Sequence, residues 1–164
     1  MALTNHIGAC ALICSVQVAH ADPIAITAFT EWCFKAGQTA SAARANMERT
    51  AGAPLPFELT FWDSSLEPAP NAPEQSERRC EVAFDGAFAP DAIQAVQAKM
   101  AMPPVFGTPI PLPKPFESTD ATAMIEAREL LRGRVAVVEI GTRPGPRTFI
   151  RVDRLPAGYE WDGA

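Results

Sequence analysis

Residues 134–155, RVAVVEIGTRPGPRTFIRVDRL, constrain the fold of this chain more than any other segment. A short apolar run at 135–140 leads into a turn rich in glycine and proline, and residues 148–155 then alternate between apolar and polar. Alternation with a period of two is typical of a strand with one buried face. The segment therefore predicts a β-hairpin whose second strand directs Ile150 and Val152 towards a core.

Two earlier segments, 55–62 and 79–85, alternate in the same way and predict further strands. In the second of them Cys80 shares its face with apolar residues, which places the thiol on the core side. Residues 121–131 are ambiguous, because good helix formers occur there while apolar residues also alternate. We favour a strand for this segment, because the hairpin needs neighbours in the sheet.

Apolar residues recur at spacings of three and four after residue 22, which is typical of amphipathic helices. The pattern predicts one helix over 23–36, opened by Asp22 as N-cap, and a second over 39–50 that ends at Gly52. A further helix is predicted over 90–100. The fold class predicted is α+β: an antiparallel sheet of four or five strands, with the N-terminal helices and one mid-chain helix packed on one face.

The chain has 164 residues, of which 48% are hydrophobic, and this size fits one globular domain. We assign that domain to residues 22–164. Its 16 prolines predict long connections, in particular loops near 64–77 and 103–115. The second loop has prolines at six of its thirteen positions, so we expect an extended, rigid covering segment.

Residues 1–21 contain no Asp, Glu, Lys or Arg, and an apolar run at 7–18 precedes Ala19-His20-Ala21. This pattern predicts a signal peptide cleaved between Ala21 and Asp22, and a periplasmic or secreted protein. The run is shorter than the roughly 20 apolar residues of a membrane span, and no span is expected after cleavage. A buried N-terminal helix, a wrongly placed start codon and a lipoprotein modified at Cys10 are the alternatives.

Cleavage would remove Cys10 and Cys14 and leave Cys33 and Cys80, which we expect to form a disulfide. The alternative is a pair of buried free thiols. Both histidines of the chain also precede residue 22, so the mature protein would contain none. That composition excludes Ser-His and Cys-His nucleophile pairs and most zinc or copper sites. We therefore predict no metal and no cofactor.

Charge is distributed unevenly along the chain. The net charge of −5 disfavours nucleic-acid binding, yet seven of the 14 basic residues are arginines between positions 128 and 154. Guanidinium groups suit carboxylates and phosphates, so Arg143, Arg147 and Arg151 are candidate anion-binding residues. The alternative is that these charges match an acidic half of the same chain and keep the strands soluble.

Carboxylates also alternate along one predicted strand, where Glu81 and Asp85 share the outward face. Paired carboxylates perform acid–base chemistry, although a wet strand face has the same pattern. We favour a non-enzymatic binding or structural protein, with an anionic ligand or an envelope protein as its partner. The alternatives are a histidine-free hydrolase that uses carboxylates and arginines, and a subunit of an envelope assembly with an exposed apolar patch near Phe149 or Trp62.

The pattern Phe29-x-x-x-Cys33 on a helix soon after a leader, followed by an alanine-rich second helix, resembles the small exported proteins of proteobacteria that have no assigned activity. The Arg79-Cys80-Glu81-Val82 strand and the hairpin at 135–155 are similar to those proteins too. The resemblance covers about half of the mature chain. It implies a signal peptide, one disulfide and an α+β domain, and it transfers no catalytic residue.

Overall fold

The structure is a computed structural model that describes residues 23–102 and 106–159. The predicted signal peptide, its cleavage site and the expected Asp22 cap lie outside the described residues. Three α-helices lie within the described residues: α1 (Ile24–Trp32), α2 (Ala40–Ala51) and α3 (Ala89–Met100). The strands within them are β1 (Glu58–Asp63), β2 (Arg78–Asp85), β3 (Phe106–Ile110), β4 (Thr122–Leu130), β5 (Arg134–Arg143) and β6 (Arg147–Arg154).

The described strands form one antiparallel sheet in the order β1-β2-β6-β5-β4-β3. The α+β class is therefore confirmed, whereas the expected four or five strands become six. The additional strand is β3, inside the segment that we expected to be only a covering loop. Its Pro109 is tolerated because β3 is an edge strand, and a register irregularity lies between Phe106 and Pro109.

The ambiguous segment 121–131 contains strand β4 (Thr122–Leu130) and no α-helix, as the need for a neighbour to β5 predicted. The first helix ends at Trp32, four residues before its predicted end, and Cys33 is its C-cap. The second helix begins after Thr39, whose hydroxyl accepts the Ala42 N–H at 3.3 Å. It ends at Gly52, where φ is 89°, a backbone conformation that favours glycine.

All three helices pack on one face of the sheet, the face that carries the apolar side chains of each strand. Phe29, Met47 and Val96 of the helices are fully buried, and they meet Val138 and Ile150 of the sheet. The expected alternation in β6 is confirmed by this packing. None of the described α-helices packs on the opposite face of the sheet, which we call the outer face.

A disulfide joins Cys33 at the end of α1 to Cys80 in the middle of β2, with the two Cα atoms 5.4 Å apart. Both cysteines are at most 1% exposed. The predicted pairing is therefore confirmed, and it links the helical layer to the sheet across 47 positions of sequence. In the chain-entropy account a closed loop of that length stabilises the fold by about 4 kcal/mol.

Candidate functional site

The outer face places charged side chains of neighbouring strands side by side. In the register of the sheet, Glu81 of β2 lies opposite Arg151 of β6, and Arg151 lies opposite Glu139 of β5. In the next row Arg79 of β2 lies opposite Asp153 of β6. Opposite charges in directly facing positions attract one another, so each row is a cross-strand ion-pair network.

Arg143 and Arg151 converge on the carboxylate of Glu81. Arg143 Nη2 lies 2.5 Å from Glu81 Oε1, and Arg151 Nη1 lies 3.7 Å from Glu81 Oε2. Arg151 also donates a hydrogen bond to Glu139. Both guanidinium groups lie over the ring of Phe149, whose centroid is 5.2 Å from Arg143 Cζ and 5.7 Å from Arg151 Cζ. The Phe149 ring therefore makes cation–π interactions with both guanidinium groups.

Gly141 makes room for that ring. A Cβ atom at this position would lie 2.7 Å from the Phe149 ring and 2.3 Å from the backbone oxygen of Ala121. The backbone of Thr142 also donates a hydrogen bond to the same Ala121 oxygen at 2.8 Å. A glycine is therefore required where the end of β5 passes both the aromatic ring and the start of β4.

The third candidate, Arg147, lies on the same face but at the rim. Its Nη2 is 3.2 Å from Glu58 Oε1, and its Nε is 3.2 Å from Asp85 Oδ1. The structure thus brings Arg143, Arg147 and Arg151 to one face of the hairpin. Each of the three guanidinium groups already has a carboxylate partner, so an added anion would compete with the protein's own acidic groups.

Arg79 and Glu139 belong to the same network, and the sequence analysis did not select them. Arg79 donates from Nε and Nη2 to the two oxygens of Asp153, at 2.7 and 2.8 Å. Ser76 Oγ donates to the same carboxylate at 2.9 Å, and Asp153 is 1% exposed. The alternation of Arg79 with Glu81 was visible in the sequence. The sequence did not show that Asp153 lies opposite Arg79 on the neighbouring strand.

An open cleft of about 310 Å³ lies on the outer face, and we call it the outer cleft. Its floor is the sheet, and its walls are the connections around residues 73–75 and 115–119. The lining residues are Pro73, Gln75, Arg79, Pro115, Phe116, Glu117, Thr119, Ile125, Glu139 and Arg151. Two arginines and two glutamates line it, so the formal charges balance. Its volume is at the lower end of the range of about 300–1,000 Å³ for small-molecule sites.

A second ion cluster lies on the helical face, and it is more deeply buried. Arg154 Nη2 donates to Asp63 at 2.9 and 3.1 Å, and Arg154 Nε donates to Glu77 at 2.9 Å. Arg78 Nη2 donates to the backbone oxygen of Cys33 at 3.1 Å, next to the disulfide. Burial is the main cause that lowers the pKa of Arg78, to about 10; the nearby charge of Arg154 acts in the same direction, and Asp63 offsets part of the effect. This cluster joins strand ends to the helical layer, and we assign it a structural role.

No group of three or more acidic, histidine or cysteine side chains in the described part of the chain is arranged to hold a metal ion. None of the described helices is long and apolar enough to cross a membrane. No protein-family model, curated protein or solved structure matches this chain.

Proposed function

We propose that this chain is an exported, non-enzymatic binding protein whose ligand occupies the outer cleft. The observation that carries the proposal is a concave site of about 310 Å³ on the outer face of the sheet, lined by both apolar and polar side chains. Small-molecule sites combine apolar walls with a few polar groups that orient the ligand. Pro73, Pro115 and Phe116 supply apolar surface, while Arg79 and Glu139 supply polar groups.

The balanced charge of the lining favours a small polar ligand without net charge, such as a sugar unit or a zwitterion. Arg151 is engaged by Glu139, whereas Arg79 uses only its Nε and Nη2 for Asp153. Among the described residues no acceptor is bonded to Arg79 Nη1, which leaves a donor for the ligand. Gln75 contributes a side-chain amide that has no hydrogen bond to another described residue. The outer cleft thus offers both hydrogen-bond donors and acceptors. Its lining has no excess positive charge that would favour a free anion.

The two alternative functions receive less support from the geometry. Arg143 and Arg151 do converge on Glu81, as a hydrolase with carboxylates and arginines would require, but Glu81 is 6% exposed and does not line the outer cleft. A subunit of an assembly would need an apolar patch near Phe149 or Trp62. Phe149 is 6% exposed, and Trp62 is half-buried beneath Arg79, whose Cζ is 4.9 Å from the indole ring.

Ligand-observed NMR with neutral sugars, zwitterionic amino acids and dicarboxylates tests the proposed site. We expect binding from an uncharged or zwitterionic class, and Gln75→Leu to weaken it by about three- to tenfold, the effect of one lost hydrogen bond. Glu74→Gln is the matched control, because Glu74 is an exposed neighbour that does not line the cleft. Binding of dicarboxylates alone, binding indifferent to Gln75→Leu, or no binding in any class would refute the assignment.

Export is tested by the intact mass of the protein from a periplasmic fraction, before and after reduction and alkylation. The buried Cys33–Cys80 bridge supports this part of the proposal, because disulfides persist in oxidising compartments. We expect a chain that begins at Asp22 and that is alkylated at two cysteines only after reduction. A chain that retains residues 1–21 and reacts without reduction would contradict export.

A further inference from the structure

Strand β1 ends the sheet, so one of its edges has no neighbour among the described strands. Hydrogen-bonded pairs alternate along an antiparallel ladder, which decides which residues direct their backbone groups to that edge. Leu155 N–H donates to the Val135 oxygen at 2.9 Å, so the odd-numbered residues of β6 bond to β5 and the even-numbered ones to β2. Gly86 N–H donates to the Pro146 oxygen at 2.7 Å, which agrees with this phase.

The same alternation carries through β2 to β1. Odd-numbered residues of β2 bond to β1 through Thr60 and Trp62, and the N–H and C=O groups of Leu59 and Phe61 therefore point away from the sheet. No hydrogen bond reaches these four groups from the described residues. The edge of β1 thus presents donors and acceptors to an incoming strand.

A groove runs beside that edge. Its volume is about 300 Å³, and it is lined by Leu59 and Phe61 of β1 and by Ala40, Ser41 and Arg44 of α2. The two strand residues that direct free backbone groups outward therefore also line the groove with their side chains. A strand added to β1 would place every second side chain on the helical face, where the groove can receive an apolar one.

The charge at the groove indicates the polarity of its occupant. The side chain of Arg44 is 55% exposed, and its Nη1 lies 4.0 Å from Glu48 Oε1, a distance at which an exposed pair contributes little. The N-terminus of α2 is already capped, because Glu67 Oε1 accepts the Ala40 N–H at 2.7 Å. Arg44 is therefore the cation at this groove that remains available for a carboxylate.

A second copy of the chain fits this edge less well than a peptide. Helix α2 packs on β1, so β1–β1 pairing would bring two α2 helices together on one face. Neighbouring strands lie about 4.8 Å apart, whereas packed helices need about 8–10 Å. A peptide without a helix meets no such conflict. We propose that β1 and this groove bind an extended peptide segment as a seventh strand, with an apolar side chain in the groove and a carboxylate at Arg44.

Selection from a displayed library of eight-residue peptides tests this site, independently of the outer cleft. We expect enriched peptides to alternate apolar and polar residues around one acidic residue, and to slow hydrogen exchange at the Leu59 and Phe61 amides. Leu59→Pro removes one outward N–H without touching the bonds to β2, and it should weaken binding roughly tenfold.

Arg44→Glu keeps the proposal testable if Leu59→Pro fails to fold. This variant should shift selection from acidic to basic peptides, while Arg49→Glu, the same change outside the groove on the same helix, should not. The proposal would be overturned if peptides were enriched equally on the wild type and on Leu59→Pro. It would also be overturned if the peptides slowed hydrogen exchange at amides outside β1 instead of at those of β1. An unchanged preference in Arg44→Glu, or the absence of any enriched peptide, would overturn it as well.

Discussion

Replacing Asp63 by asparagine removes one charge from the buried ion cluster without changing the shape of the side chain. Asp63 is 0% exposed and accepts two contacts from Arg154, at 2.9 and 3.1 Å, while Arg78 Nε lies 3.8 Å away. The variant would leave both guanidinium groups buried with Glu77 as the remaining carboxylate. Breaking a buried pair in this way typically costs about 3–5 kcal/mol.

We expect Asp63→Asn to lower the free energy of unfolding by that amount, measured by urea denaturation followed by circular dichroism with the disulfide intact. Glu48→Gln is the control, because its pair with Arg44 is exposed and should contribute less than about 0.5 kcal/mol. A double variant with Arg154→Met should lose less than the sum of the two single losses, because it removes both partners. A loss below about 1 kcal/mol in Asp63→Asn, or equal losses in Asp63→Asn and Glu48→Gln, would refute the reasoning.

Two further predictions concern the Cys33–Cys80 disulfide and the buried guanidinium group of Arg78. Replacing both Cys33 and Cys80 by alanine should lower the free energy of unfolding by about 4 kcal/mol. A reductant should then have no effect on the urea midpoint of the variant. If the variant had the same urea midpoint as the oxidised wild type, the loop-closure argument would be contradicted. The second prediction concerns pH. Because the pKa of Arg78 is lowered to about 10 in the folded protein, the folded state loses this proton before the unfolded state does. The stability of the wild type relative to Arg78→Met should therefore be constant below that pH and rise above it; a difference that falls at high pH would contradict the assignment.

Local sequence patterns were sufficient for most of the helices and strands. The period-two alternation around Ile150 and the three-and-four spacing around Phe29 depend on neighbours along the chain, and both describe the buried faces correctly. Strand β3 was missed because Pro109 within it and the prolines that flank it in the sequence argue against a ladder. Only its place at the sheet edge, where Pro109 is tolerated, makes it a strand.

The candidate site, in contrast to the helices and strands, depended mainly on contacts between residues of different strands. Clustering of arginines near Arg143 and Arg151 was visible in the sequence, and the hairpin brought both to one face. The sequence did not reveal that Glu81 lies between them or that Glu139 engages Arg151, because these partners come from different strands. The arginine pattern left two interpretations open, an anion-binding face and internal pairing with acidic residues of the same chain, and the ion pairs across the strands show the internal pairing.

The amino-acid sequence by itself predicted the α+β class, the faces of the central strands and the pairing of Cys33 with Cys80, and the structure bears out all three. Those features depend on local periodicity and on the count of residue types. Only the tertiary structure decided the number of strands, the neutralisation of the arginines and the exposure of the β1 edge. The physical reason is that ion pairs and strand edges are defined by strand order, and strand order joins residues such as Asp63 and Arg154 that lie 91 positions apart.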